Sequence, residues 1–226
     1  MKPRPVALTA FLTIALGATD RVSAQNFVFN GSFESPALGF GNYQYGAIVG
    51  SGWAFVTSPT VGGSGITHVP SLWTGASGRP PFSAPDGNQI AFLQSVGNSL
   101  SQTITLPADG SYSMSYQHAG RSFFPPVSGN PSQGGNLTYS ILMDSAPLGT
   151  FSTTTDMPFT SIALTFAGTS GAHLFEFLAV SGGAETVDQT AFFDGVSVTA
   201  VPEATAWPFA ALGLGLWALA RRRRSA

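Results

Sequence analysis

The residues best suited to chemistry in this chain are rings and a few scattered charges. Trp73 sits in a Gly-, Ser- and Pro-rich stretch, with His68 and Arg79 near it in sequence and Pro70, Pro80 and Pro81 to stiffen it. Tyr43 and Tyr45 occupy Gly41-Asn42-Tyr43-Gln44-Tyr45-Gly46. Aromatic faces stack on the apolar faces of pyranose rings while polar neighbours fix the hydroxyls. The alternative is that these rings tack long loops onto a core. His118 and Arg121 close a strand-like segment and open another loop. Arg121 is either half of a structural salt bridge or, with His118, a ligand contact at the rim. Trp53, after Gly52 in a strand-like context, is expected in the core.

Catalytic signatures are absent. There is no Gly-x-Ser-x-Gly elbow, His-Glu-x-x-His helix or Gly-rich phosphate loop. His68, His118 and His173 lack metal-ligand spacing. Asp86, Asp109 and Asp156 fall in turn contexts, where Asp serves local geometry. The chain has no cysteine, so neither a thiol nucleophile nor a zinc-thiolate centre is available. No catalytic residue is assigned, and a paired-carboxylate glycosidase ranks last among the readings.

The elements that must position these groups are strands. Ser111–Tyr116, Leu137–Leu142, Ser161–Phe166, Leu174–Val180 and Phe192–Val198 alternate apolar with polar, the pattern of strands with one face in a core. Turn signals punctuate them at Pro85–Asn88, Pro107–Gly110, Gly168–Gly171 and Ser181–Gly183. Gly62–Pro85 and Phe123–Gly135 read as long loops, and no stretch between residues 25 and 200 has helical periodicity. The expected fold is all-β, a jelly-roll β-sandwich. Within 25–200 only Arg79 and Arg121 are basic, against nine acids, a net charge of −7 compared with −2 for the whole chain. Such a surface excludes nucleic acid, which needs a basic face, and disfavours anionic lipid headgroups.

Several pieces occur in a telling order. They are Asn30-Gly31-Ser32-Phe33-Glu34, then Gly52-Trp53, then Pro85-Asp86-Gly87-Asn88-Gln89-Ile90-Ala91-Phe92-Leu93. Leu100–Ile104, Tyr112–Tyr116 and Ala191-Phe192-Phe193-Asp194-Gly195-Val196-Ser197-Val198 follow. The series resembles the galactose-binding-like jelly-roll domains, which include many carbohydrate-binding modules. The resemblance implies a sandwich whose first and last strands are neighbours. It also implies a structural calcium ion at Glu34 and Asp194, hard oxygen ligands completed by backbone carbonyls. The family often has a second acid where this chain has Gly195. The other possibility is that both acids accept backbone hydrogen bonds at strand ends.

The two ends carry sorting signals. Lys2 and Arg4, the apolar Val6–Ala18 and the small-residue site Val22-Ser23-Ala24 form a signal peptide over 1–24, with cleavage between Ala24 and Gln25. Residues 201–226 hold Val201-Pro202-Glu203, an apolar run from Trp207 to Ala220, and Arg221–Arg224. This tail resembles the PEP-CTERM sorting signal. The resemblance implies export, transient insertion of the apolar helix in the inner membrane, and cutting near Pro202 and Glu203 by an exosortase-type enzyme. The basic cluster stays on the cytoplasmic side. The expectation is a β-domain over 25–200 in the cell envelope, at the surface or in the extracellular matrix. Its partners would be signal peptidase, the sorting enzyme and extracellular polysaccharide. A purely structural matrix protein is the second reading.

Overall fold

The computed structural model describes residues 25–57, 62–71, 83–124, 133–182 and 188–202. Among them there are strands and turns and no helix, so no helix there is long and apolar enough to cross a membrane. The strands are β1 Tyr43–Tyr45, β2 Ala54–Val56, β3 Ser64–His68, β4 Gln89–Gln94, β5 Ser99–Leu106 and β6 Gly110–Gly120. They continue with β7 Gln133–Gly134, β8 Thr138–Met143, β9 Ala146–Ser152, β10 Thr160–Gly168, β11 Gly171–Ser181 and β12 Asp188–Ala200. One sheet runs β1-β3-β4-β12-β6-β10, with β7 beside β12; the other runs β2-β5-β11-β8-β9.

The alternating segments became strands because each offers an apolar face to the other sheet. Tyr112, Met114 and Tyr116 of β6, Tyr139 and Ile141 of β8, Phe175 and Phe177 of β11, and Phe193, Val196 and Val198 of β12 share one buried cluster. Trp53 belongs to it as expected. Its ring is 5.2 Å from Phe33, and its Nε1 donates to Asn30 O at 3.1 Å. Burying side chains of this size is the main favourable term in a cysteine-free domain.

Two expectations need correction. Gly62–Pro85 is not one loop, because Ser64–His68 forms β3, an interior strand between β1 and β4. Its sequence, Ser-Gly-Ile-Thr-His, has one aliphatic residue and shows no alternation. Phe123–Gly135 is likewise interrupted, since Phe124 pairs with Gln133 and β7 adds to β12.

The first strand, β1, pairs with β3 rather than with β12, but the segment 26–31 before it lies against that last strand. Phe27 N donates to Val198 O at 2.9 Å, Val196 N donates to Gly31 O at 2.9 Å, and Val198 N donates to Asn26 Oδ1 at 3.0 Å. Gly31 is required there, because a Cβ would lie 1.9 Å from Val196 O.

β12 changes phase partway. Its register with β6 shifts between Asp194 and Ser197. Before the shift Ala191 and Phe193 face the core; after it Val196 and Val198 do. One extra residue in a strand reverses which side chains face inward. Gly195, with φ of 60°, supplies the left-handed backbone.

Candidate functional site

Three groups of residues bear on function. The first is the outer face of the seven-stranded sheet, away from the sandwich core. Register sets Tyr45, Gly65, Phe92, Phe192 and Ala119 in one row across β1, β3, β4, β12 and β6. Phe92, Phe192, Ala119, Ile90 and Val69 form a second apolar cluster, with Ala84 and Phe159 partly buried against it. Tyr45 meets Phe92 edge-on at 4.9 Å and Tyr43 at 5.8 Å. Tyr43 and Tyr45 are 43% and 38% exposed, so both rings show a surface at the sheet edge.

A polar chain runs beside this floor. Tyr45 Oη donates to Gln94 Oε1 at 2.7 Å, and Gln94 Nε2 donates to Thr190 Oγ1 at 3.1 Å. Thr190 Oγ1 donates to Asp188 Oδ1 at 3.2 Å. Arg121 donates through Nη1 to Asp188 Oδ2 at 2.6 Å and through Nη2 to Gln133 Oε1 at 2.5 Å. Burial, together with the negative charge of Asp188, pushes the Tyr45 hydroxyl up to about 12. It therefore stays protonated and keeps donating to Gln94 at any physiological pH.

Arg121 is only 2% exposed, and its charge is met by Asp188. Of the two roles expected for it, the structural salt bridge is what the geometry provides. A buried pair of this kind resists removal of either partner, because the other charge is then left uncompensated. Its guanidinium also lies 5.7 Å from the Phe124 ring centroid. His118 departs from its expected rim position. It lies on the inner face of β6, buried, with Nδ1 2.8 Å from Tyr139 Oη, which in turn is 2.9 Å from Tyr116 Oη. Desolvation lowers its pKa and holds it neutral. The alternation that buries Tyr112, Met114 and Tyr116 carries on to residue 118, and that was the available signal. Trp73 and Arg79 lie outside the described residues.

The second group surrounds the Pro85–Gln89 turn. Glu34 Oε1 accepts from Asn88 N at 2.8 Å and from Gln89 N at 2.6 Å. Asp194 Oδ2 accepts from Asp86 N at 2.8 Å, and its Oδ1 from Gly195 N at 2.7 Å. The two acids thus grip one turn from two sides, which is the hydrogen-bonding arrangement set against the metal above. Gln89 ties the same loop down, donating through Nε2 to Phe33 O at 2.5 Å and Pro36 O at 3.1 Å and accepting from Leu38 N.

Asp194 is fully buried, and its carboxyl is pushed up to about 7. Desolvation dominates; the two N–H donors oppose it, and the charges of Asp86 and Glu34 add to it. Among the described residues no group of three or more His, Cys, Asp or Glu has metal-holding geometry. Still, Asp194 Oδ1 and Oδ2 each keep a second lone pair after accepting one N–H, whereas Glu34 takes both of its N–H groups on Oε1. The negative charges of Glu34 and Asp86 facing Asp194 also make a place where a hard cation would relieve repulsion.

The third group was not anticipated. His173 Nδ1 is 2.6 Å from Asp144 Oδ2, and Nε2 is 2.8 Å from Thr169 O. Both ring nitrogens face acceptors, so the imidazolium fits best, and the Asp144 hydrogen bond raises its pKa. The pair clasps the β8–β9 and β10–β11 turns. Of the processing residues, Gln25 and Pro202 are described and exposed, while Ala24 and Glu203 lie outside the described residues.

No family model matches the chain, and no curated protein does. Solved structures do. The chain is similar to a family 61 carbohydrate-binding module in complex with beta-1,4-galactotriose, at 14% identity over 79% of this chain and 100% of that one, TM-score 0.47. It is similar to a family 35 carbohydrate-binding module from Clostridium thermocellum, at 10% identity over 66% and 92%, TM-score 0.41. A carbohydrate-binding module of Cellvibrio mixtus lichenase 5A in complex with cellotriose is also similar, at 18% identity over 53% and 84%, TM-score 0.38.

Proposed function

We propose that this chain is an exported, non-catalytic module that binds neutral glycan or associates with extracellular polysaccharide. One observation carries the reading. Tyr43 and Tyr45 offer two part-exposed rings on the same sheet face as an ordered set of hydroxyl, amide and carboxylate groups. Exposed rings are what stacking on a sugar needs, and the buried hydrogen-bonded chain beneath them holds Tyr45 in place. Neutrality of the ligand follows from charge: Arg121 is already paired, and an acidic domain repels uronates. Trp73 is proposed as a further ring of the same site.

Gel-shift electrophoresis against a panel of neutral polysaccharides tests this. Tyr43→Ala and Trp73→Ala should each remove retardation by one polysaccharide while leaving the melt within about 0.5 kcal/mol of wild type, as surface changes do. If neither variant nor wild type is retarded by any polysaccharide, the structural-matrix reading replaces this one.

Calcium at Glu34 and Asp194, with Asp86 adjacent, is proposed as a structural cofactor. A cation held only by the folded state stabilises by mass action, about 2.7 kcal/mol at a hundredfold excess over its dissociation constant. Export, tail insertion and sorting are proposed from the terminal sequences. The mature polypeptide should then begin at Gln25 and end near Glu203, which the intact mass of the surface form would show. Retention of Arg221–Arg224 would refute the sorting step alone.

A further inference from the structure

We propose that β10 is a docking edge for a second copy of this chain, the two β10 strands pairing antiparallel about a twofold axis. Every open sheet has two edges, and an unprotected edge offers a row of N–H and C=O groups to any passing strand. Among the described residues this sandwich has four: β1 and β10 on one sheet, β2 and β9 on the other. Three are blunted. β1 and β2 are three residues each. β9 carries Pro147, which has no N–H, and its pairing with β8 is broken by a register shift between Ile141 and Leu142.

β10 has none of these devices. It is nine residues, Thr160–Gly168, paired with β6 without a register shift over its whole length. At ~3.4 Å per residue that is an edge about 30 Å long. It contains no proline, and no Asp, Glu, Lys or Arg lies anywhere between Asp156 and Glu176.

The occupant follows from charge and from the edge's side chains. A domain of net charge −7 repels its own copies except where the surface is uncharged, and this strand is such a surface. Ile162 and Leu164 sit part-exposed at the rim of the core. Ser161, Ala163, Thr165 and Ala167 point to the other face and are exposed and small. An antiparallel twofold would lay the Ile162 and Leu164 pair of each copy against the other. The small residues on the opposite face would offer no steric obstacle. An isologous contact of this kind closes on itself, giving a dimer.

The absence of native cysteine makes the test clean. Ala163→Cys and Thr165→Cys, singly and together, are made in the full chain, kept in non-ionic detergent and oxidised mildly. The combinations cover the three central registers, since a cross-strand disulfide needs Cα atoms roughly 4.4–6.8 Å apart. At least one should form covalent dimer at about tenfold or more the rate of Thr103→Cys, an exposed strand position on the opposite sheet. Ala163→Lys with Thr165→Lys should weaken self-association by about tenfold or more in sedimentation, with the melting curve unchanged. Cross-linking no faster than the control at all positions overturns the proposal. So does a dimer that survives the double lysine variant, because it would then use another surface.

Discussion

The outer face of the seven-stranded sheet is two different surfaces, and the line between them is the phase change in β12. On the β1 side lie Tyr45, Phe92, Phe192 and Ala119 with the Gln94–Thr190–Asp188–Arg121 chain, almost all of it buried. On the β10 side lie Ser111, Ser113, Ser115, Ser161, Ala163, Thr165, Ala167, Ser197 and Thr199, small and mostly exposed. Both halves share strands β6 and β12, so the backbone scaffold is common. The difference shows that one continuous sheet can build a buried, hydrogen-bonded arrangement at one end and leave the other plain, with Asp194 and Gly195 marking the boundary.

The largest expected effect separates the halves by stability. Phe192→Ala should cost roughly 3–5 kcal/mol, as truncation of a fully buried ring does, and Arg121→Ala a similar amount by stranding Asp188. Thr165→Ala and Ser115→Ala should stay within about 0.5 kcal/mol. Urea unfolding of the four variants checks this. Equal costs on both sides would erase the distinction.

Next is the boundary itself. The folded Asp194 carboxyl keeps its proton to about pH 7, whereas an unfolded one releases it near ~3.9. Between those values the native state binds more protons, so stability should fall as pH rises from about 4 to about 7 and then level off. Calcium at this turn needs the ionised form. Added calcium should therefore raise the melting temperature more at pH 7.5 than at pH 5, and a chelator should reverse it. A melt indifferent to both leaves Glu34 and Asp194 as hydrogen-bond acceptors only.

Gly195→Ala probes the same boundary more gently. Nothing lies within 4 Å of the added Cβ, so the cost is that of the left-handed backbone alone, about 1–2 kcal/mol by differential scanning calorimetry. The smallest effect sharpens the pH result. His173 has its folded pKa raised by Asp144, so its contribution is complete below the unfolded value of ~6.5 and is lost as pH climbs through the folded value. For a partly exposed pair this is worth no more than about 1 kcal/mol. His173→Gln should flatten the melting-temperature slope above pH 7 and leave the slope below pH 6 intact, which assigns the latter to Asp194.

Much of the scaffold was legible because alternation is a local signal. β6, β8, β10, β11 and β12 all contain the segments whose apolar residues recur every second position, and the Pro85–Asn88 turn announces itself by composition. β3 was invisible for the converse reason: Ser64, Gly65 and Thr67 are buried by what neighbouring strands place over them, which no local pattern records. The phase change was equally hidden, since Phe-Phe-Asp-Gly-Val-Ser-Val alternates passably in either phase. At the candidate site, Tyr43 and Tyr45 were legible as clustered rings. Asp188, the partner of Arg121, was not, because 67 residues separate them and only the sheet order brings them together.

The position of β12 has a mechanical consequence. It lies inside its sheet, hydrogen-bonded to β4 and β6, with the 26–31 segment along its second half and Val201 N just past its end donating to Ser111 O. A pull on the chain beyond Ala200 runs along the strand axis and loads those bonds together in shear. An edge strand pulled sideways would instead unzip one bond at a time. Tension applied at that end would be spread over the central sheet, so the arrangement of the β1 side would outlast forces that peel an edge.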